Sequence, residues 1–280
     1  MIQNDLDQET PGHVYLCQVS EEVSCGACCG LYNINDITYH KLEKVLKQRS
    51  ILFESTARNV SGFFEYESKI SSLESQKRPY LDFHHCPYVG LIGDSLKTVG
   101  CLLHPLASGN DEVDYRGISY YGGMACKNYF CLTCKKLRPR YKSIVRSILD
   151  GWYLYGIIVT EWEMLNCLFS NIEQIIHRDL TVVEIEESNT LKNSLVSFFH
   201  LKLETKLAQD YQANYFFEDR NYPLPEINYP QFNRAESKYD AILRCFRFKM
   251  TEIQDLEKAD SLIETAILQI TDIIQNAGKE

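Results

Sequence analysis

The stretch "SCGACCGLYN", residues 24–33, places three cysteines within five positions and sets two glycines among them. Such crowding suits a disulfide framework, a redox-active thiol pair or a set of metal ligands. Cys25 and Cys28 have C-x2-C spacing, in which two intervening residues let both sulfurs face one ion. Gly26 allows the tight backbone that this spacing requires. The rest of the chain has to distinguish the three alternatives.

The N-terminal sequence bears on the redox state of these thiols. "MIQNDLDQET" has no basic start followed by an apolar run, so it does not resemble a signal peptide. No segment approaches the ~18 uninterrupted apolar residues of a membrane span. We therefore expect a cytoplasmic protein without a membrane partner, whose thiols stay reduced. A disulfide framework is then the weakest alternative.

The charge of the chain narrows the choice of partner. The 280 residues carry a formal net charge of -9, which argues against nucleic acid as the main partner because its phosphates require a clustered basic surface. The densest basic stretch, residues 135–146, is interpreted as the solvated face of a helix.

The other cysteines favour metal binding. Thiolates are soft ligands that suit zinc, copper(I) and iron–sulfur clusters. The C-x2-C motif is followed by two single cysteines and then by a C-x4-C-x2-C motif, so four separate segments can converge on one centre. Cys17, Cys167 and Cys245 are interpreted as core cysteines. The eight predicted ligands fall within 110 consecutive residues: Cys25, Cys28, Cys29, Cys86, Cys101, Cys126, Cys131 and Cys134.

The N-terminal half combines predicted strands and helices. "HVYLCQV", residues 13–19, favours a strand, and the periodicity of residues 37–56 predicts a helix. Residues 86–105 have two apolar runs about a Gly-Asp turn, which is typical of a β-hairpin. Such a hairpin would bring Cys86 and Cys101 close together.

The second half has no cysteine cluster and is predicted to be helical. Thr160 and Glu163 have the spacing of a capping box for a helix that ends near Ile176. Apolar residues recur at heptad-like spacing between positions 253 and 274, which predicts a helix packed on the body or a dimerising coiled coil. A homodimer or a protein partner could therefore use this helix.

These patterns predict an α+β fold in two parts. Residues 1–150 would form a cysteine-rich, metal-centred domain with a β-hairpin and helices. Residues 151–280 would form a mainly α-helical domain.

The order of the motifs CGACCG, HCPYVG, VGCLLHP, DYRG and YYGGMACKNYFC resembles the YkgJ-type cysteine-cluster proteins, which are described as zinc- or iron-chelating. The match covers about residues 17–135. The resemblance implies a metal site at Cys25, Cys28, Cys29, Cys86, Cys101, Cys126 and Cys131. The family commonly has a further cysteine where this chain has Glu22, and Cys17 is a candidate replacement.

Polar residues beside the cysteines are further candidates. His84, His85 and His104 flank Cys86 and Cys101, and imidazole is a ligand of zinc and iron. Arg116 has two open interpretations. It could donate hydrogen bonds to thiolates, or it could anchor its loop through Asp114.

Two functions remain open on the sequence. The first is a metal-binding protein that holds zinc or an iron–sulfur centre, with four thiolates at one centre or two zinc ions favoured over a large cluster. The second is an iron–sulfur oxidoreductase, or another metal-dependent enzyme with an open coordination position. A thiol–disulfide oxidoreductase using Cys25 and Cys28 is weaker, because the compact α/β pattern of such enzymes is missing.

Overall fold

The structure is a computed structural model that describes residues 3–75, 77–81, 83, 85–204 and 226–277. The described chain is mostly helical and has one small antiparallel sheet, which confirms the α+β assignment. Its helices are Gln3–Glu9 (α1), Tyr39–Glu54 (α2), Val60–Leu73 (α3), Leu132–Lys136 (α4), Pro139–Ile148 (α5), Trp152–Val159 (α6), Trp162–Ile176 (α7), Val182–Glu187 (α8), Asn189–Glu204 (α9), Asp240–Phe246 (α10) and Ile253–Ala277 (α11).

The predicted hairpin is present. Strands Val89–Ile92 (β1) and Thr98–Cys101 (β2) pair antiparallel, with Val89 opposite Cys101. Gly93 adopts a φ of +78° in the connecting turn, a conformation that glycine reaches without strain. Cys101 is the last residue of β2, whereas Cys86 precedes β1 rather than opening it.

Helix α2 covers one face of the hairpin and forms an apolar cluster with it. Leu42 and Leu46 of α2 pack with Val89, Leu91 and Val99 of the sheet. The cysteine-rich stretch reaches the same cluster, because a Cβ on Gly26 would stand 2.7 Å from the Val99 side chain. The glycine therefore permits the close approach of this stretch to β2.

The strand predicted over residues 13–19 is wrong. This segment makes a single antiparallel bridge, between Gln18 and Ser24. The backbone hydrogen bonds of the segment close a tight loop, with Val19 N–H donating to Val23 O at 2.8 Å. The chain reverses too soon for a longer ladder to form. The apolar residues Val14 and Leu16 are buried nevertheless.

The starts of helices α5, α7 and α8 can be compared with what proline and capping-box residues favour. Pro139 is the first residue of α5, as its fixed φ favours. The capping box predicted at Thr160 and Glu163 is wrong, because Glu161 is the N-cap of α7 and Thr160 ends α6. A complete capping box occurs instead at Thr181, which begins α8.

The helices of the second half form the largest apolar core. The inner face of α11 is buried against α7 and α9, so its apolar stripe packs within the chain. The same core includes Val14 and Leu16 near the N-terminus and one face of α5, with Tyr141, Ile144, Val145 and Ile148. The division into domains 1–150 and 151–280 stays a prediction. Within the described ranges, no helix is both long enough and apolar enough to cross a bilayer.

Candidate thiol site

A solvent-open cavity of about 360 Å³ brings together cysteines from distant parts of the chain. Its other lining residues include Tyr15, Gln18, His104, Arg116 and Tyr121. The cysteines that line it are Cys17, Cys25, Cys28, Cys29, Cys86, Cys101 and Cys126.

Six of the eight predicted ligands therefore line one cavity, and the other two, Cys131 and Cys134, are not part of its lining. Cys134 is fully buried, and its Sγ lies 4.0 Å from the Sγ of Cys131. The thiol of Cys134 also makes a hydrogen bond with Cys17. Cys17 was interpreted as a core residue, but it lines the cavity and connects it to this buried pair.

The cysteine-rich stretch is folded into a short 3-10 helix, Ala27–Cys29. Gly30 ends it with a φ of +73°, which glycine adopts readily. The N–H of Cys25 donates to the carbonyl of Cys17 at 2.8 Å, and the carbonyl of Cys29 accepts from Cys86 at 2.9 Å. The stretch is thus tied by its backbone to two other cysteine-bearing segments.

Several of the sulfurs accept a hydrogen bond from the backbone N–H of the residue two positions later in the chain. The N–H of Ala27, for example, lies 3.5 Å from Cys25 Sγ. N–H groups directed at sulfur favour the thiolate over the thiol. Thiolates that ligate metals are tuned by hydrogen bonds of this kind. Four cysteines accept from a backbone N–H two residues later in the sequence: Cys25, Cys86, Cys101 and Cys131.

Burial and mutual repulsion oppose ionisation of most of the sulfurs. Burial raises the pKa of Cys86 to about 12, with the neighbouring Cys101 adding to the effect. Burial and the proximity of Cys28 raise the pKa of Cys25 well above its ordinary value. A hydrogen bond from Cys29 lowers the pKa of Cys28 itself. A bound cation would remove this penalty, and its binding would release protons.

A buried ion pair positions Cys86. The guanidinium of Arg49 is fully buried and makes two hydrogen bonds to the carboxylate of Glu74, each 2.6 Å long. Its third nitrogen donates to the carbonyls of Cys86 at 2.9 Å and Val89 at 3.2 Å. Arg49 therefore fixes the backbone on both sides of Pro87, where the chain enters β1.

This ion pair predicts acid sensitivity. Burial opposes ionisation of Glu74, but hydrogen bonds with His85 and Arg49 outweigh it and hold the pKa at about 2. Because the folded pKa is below the ordinary value of 4.5, the stabilisation is complete above pH 4.5 and is lost as the pH falls from 4.5 towards 2. We expect the free energy of unfolding of Glu74→Gln to vary less with pH over this interval.

The test is urea unfolding of the wild type and Glu74→Gln at several pH values in this interval. The difference in unfolding free energy between the two proteins should shrink as the pH falls. If the difference in unfolding free energy stays constant, Glu74 is not the source of the acid sensitivity.

The histidines and Arg116 have distinct positions. His104 lines the cavity, and its Nδ1 accepts from the Leu106 N–H at 3.2 Å. His85 makes a 2.7 Å hydrogen bond through Nδ1 with the carbonyl of Gly30, and His84 lies outside the described residues. Arg116 is anchored by Asp114 through contacts of 2.8 and 2.7 Å, and it also lines the cavity.

Among the residues that the structure describes, no set of three or more Cys, His, Asp or Glu side chains stands in an arrangement that could hold a metal ion. Comparisons with protein-family models, with curated proteins and with solved structures found no match to this chain.

Proposed function

We propose that this protein binds metal through the clustered thiolates, as zinc or as an iron–sulfur centre, in a reducing compartment such as the cytoplasm. The observation that carries the proposal is the cavity lined by seven cysteines from separate segments of the chain. Thiolates in such numbers are soft donors that select zinc or iron–sulfur clusters. The motif order that resembles the YkgJ-type proteins agrees with this choice.

The chemistry of the donor set suits zinc or an iron–sulfur centre, but the described side chains would have to change rotamer to surround an ion. Four sulfurs about a zinc ion, each bonded at about 2.3 Å, lie roughly 3.8 Å from one another. Cys131 Sγ and Cys134 Sγ are 4.0 Å apart, close to that separation. The seven cysteines that line the cavity would need to turn their sulfurs inward, and a change of side-chain rotamer moves a sulfur by roughly 3 Å.

The cavity also leaves room for a second candidate, an enzyme with an open coordination position. Cys28 and Cys126 are exposed, so the lining is accessible to a small molecule. Arg116 would give such a molecule a positive charge to bind. An iron–sulfur oxidoreductase would show brown colour and absorbance near 400 nm, whereas a structural zinc protein would be colourless.

Metal analysis of protein purified with and without oxygen tests the proposal. We expect zinc or iron in stoichiometric amounts, and the absorption spectrum to distinguish the two. Cys167→Ser is the matched control, because this cysteine lies in α7 away from the cavity and contacts Lys238 O at 3.4 Å. Metal-free protein under both conditions, after reduction and supply of zinc or of iron and sulfide, would exclude the proposal.

A further inference from the structure

The clustered thiols divide into two groups of four by their contacts. Each thiol interacts most strongly with members of its own group or with Cys28. The first, the Cys17 group, is Cys17, Cys25, Cys131 and Cys134. The second, the Cys86 group, is Cys29, Cys86, Cys101 and Cys126. Cys28 interacts most strongly with its chain neighbour Cys29 and also lies near Cys17 and Cys25, so it is assigned to neither group.

The Cys17 group is held together by direct contacts. Cys25 N–H donates to the Cys17 carbonyl at 2.8 Å. The Cys17 thiol is hydrogen-bonded to the Cys134 thiol, and the Cys134 Sγ is 4.0 Å from that of Cys131. All four therefore lie where the cysteine-rich N-terminal segment meets the start of α4.

The Cys86 group is organised by the hairpin. Cys86 N–H donates to the Cys29 carbonyl at 2.9 Å. The pairing of Val89 with Cys101 places the end of β2 beside the segment that follows Cys86. Cys126 interacts with both Cys86 and Cys101 and makes a 3.5 Å contact with the hydroxyl of Ser119.

Each group has its own positive charge. The Lys142 ammonium is fully buried and donates to the carbonyls of Cys134 at 2.9 Å, Pro11 at 2.9 Å and Gly12 at 3.2 Å. It interacts electrostatically with Cys131 and Cys134 of the Cys17 group. A Cβ on Gly12 would lie 2.4 Å from this nitrogen, so the glycine makes room for the ammonium.

Arg116 is the positive charge beside the Cys86 group. It lines the cavity and interacts with Cys101 and Cys126. A buried cation is costly unless negative charge lies nearby. Four thiolates around a divalent ion leave two negative charges. A thiolate centre on the Cys17 group would compensate the buried Lys142 ammonium, whereas Arg116 already has Asp114 as its partner.

We propose that this chain holds two separate metal centres, one on the Cys17 group and one on the Cys86 group. The inference rests on the proposed metal binding and adds the number of centres and the division of ligands. It makes Cys17 a ligand together with seven of the eight cysteines that the sequence predicts, and it assigns Cys28 to neither centre.

Pairs of substitutions distinguish two centres from one, with zinc alone as the probe. All proteins carry Cys28→Ser, so that Cys28 cannot replace a missing ligand. Two same-group pairs, C17S/C134S and C86S/C101S, each leave the other group complete. A cross-group pair, C17S/C101S, removes the same number of thiols but one from each group. Zinc retained by the reduced protein is measured against a competing chelator.

We expect about two tightly held zinc ions per chain in the Cys28→Ser parent and about one in each same-group pair. The cross-group pair should retain no tightly held zinc, because both sites have lost a ligand. A single ion in the parent would overturn the proposal, as would equal retention by same-group and cross-group pairs. If the Cys28→Ser parent binds no zinc, the result would instead contradict the proposed metal binding itself.

The same-group and cross-group pairs could also lose equal amounts of zinc if the variants failed to fold. The far-ultraviolet circular dichroism of every variant is therefore compared with that of the parent, since the main apolar core joins the helices of the second half to Val14, Leu16 and α5. The parent stoichiometry needs no ligand substitution beyond Cys28→Ser, so one ion there contradicts the proposal whatever the variants do.

Discussion

Removal of the metal is expected to destabilise the N-terminal half far more than the helical second half. The segments that carry the cysteines have little regular structure, apart from the hairpin and short helical turns. Their order would then depend on the bonds to metal. A structural zinc site contributes on the order of 10 kcal/mol to folding, which makes this the largest effect that we predict.

The measurement is amide hydrogen exchange on loaded protein and on protein stripped by a chelator under reducing conditions. Residues 13–36 and 86–131 should lose protection, whereas α7, α9 and α11 should keep it because they share an apolar core. Returning zinc should restore the protection. Identical exchange with and without metal would contradict a structural role for the centre.

The second largest effect is expected for Arg49→Met. This substitution leaves the Glu74 carboxylate only 11% exposed and without its bidentate partner. It also removes the donor to the carbonyls of Cys86 and Val89. Breaking a buried pair from one side costs about 3–5 kcal/mol, because the remaining charge stays buried, and His85 is the partner that Glu74 keeps. We expect a loss of this size in the free energy of unfolding.

The matched control is Lys47→Met on the same helix. Lys47 is 52% exposed and pairs with Glu43 at 2.9 Å on the surface. Such exposed pairs contribute about 0.5 kcal/mol or less. Urea unfolding of both variants checks the difference. Similar losses for Arg49→Met and Lys47→Met would show that the buried pair is not the anchor of this region.

The elements that the sequence predicted correctly are those with a local cause. The hairpin follows from a Gly-Asp turn between apolar runs. Helix α11 follows from apolar residues at helical spacing. In each case the residues that determine the structure are neighbours along the chain.

The missed elements lacked such a local pattern. Helix α6, "WYLYGIIV", is apolar all round because it is buried on most sides, so it shows no amphipathic period. Helix α3 lies in a mixed stretch, where the one local cue was its N-cap, Asn59, which accepts from the Gly62 N–H.

The site was predictable in its composition but not in its arrangement. Cysteine spacing identified six of the seven cysteines that line the cavity. Cys17 was interpreted as a core residue because its surroundings in the sequence resemble a strand, and only the family resemblance made it a candidate ligand; its interaction with Cys134 is long-range. Arg49 was missed for the same reason. In sequence it is one basic residue of an amphipathic helix, and its partner at Glu74 lies beyond α3.

X-ray absorption at the edge of the metal that co-purifies with the full chain tests the central claim most directly. Metal held by the clustered thiolates should show sulfur neighbours at about 2.3 Å, with about four sulfurs for each zinc ion. A first coordination sphere of oxygen or nitrogen alone, at about 2.0–2.2 Å, would contradict the account.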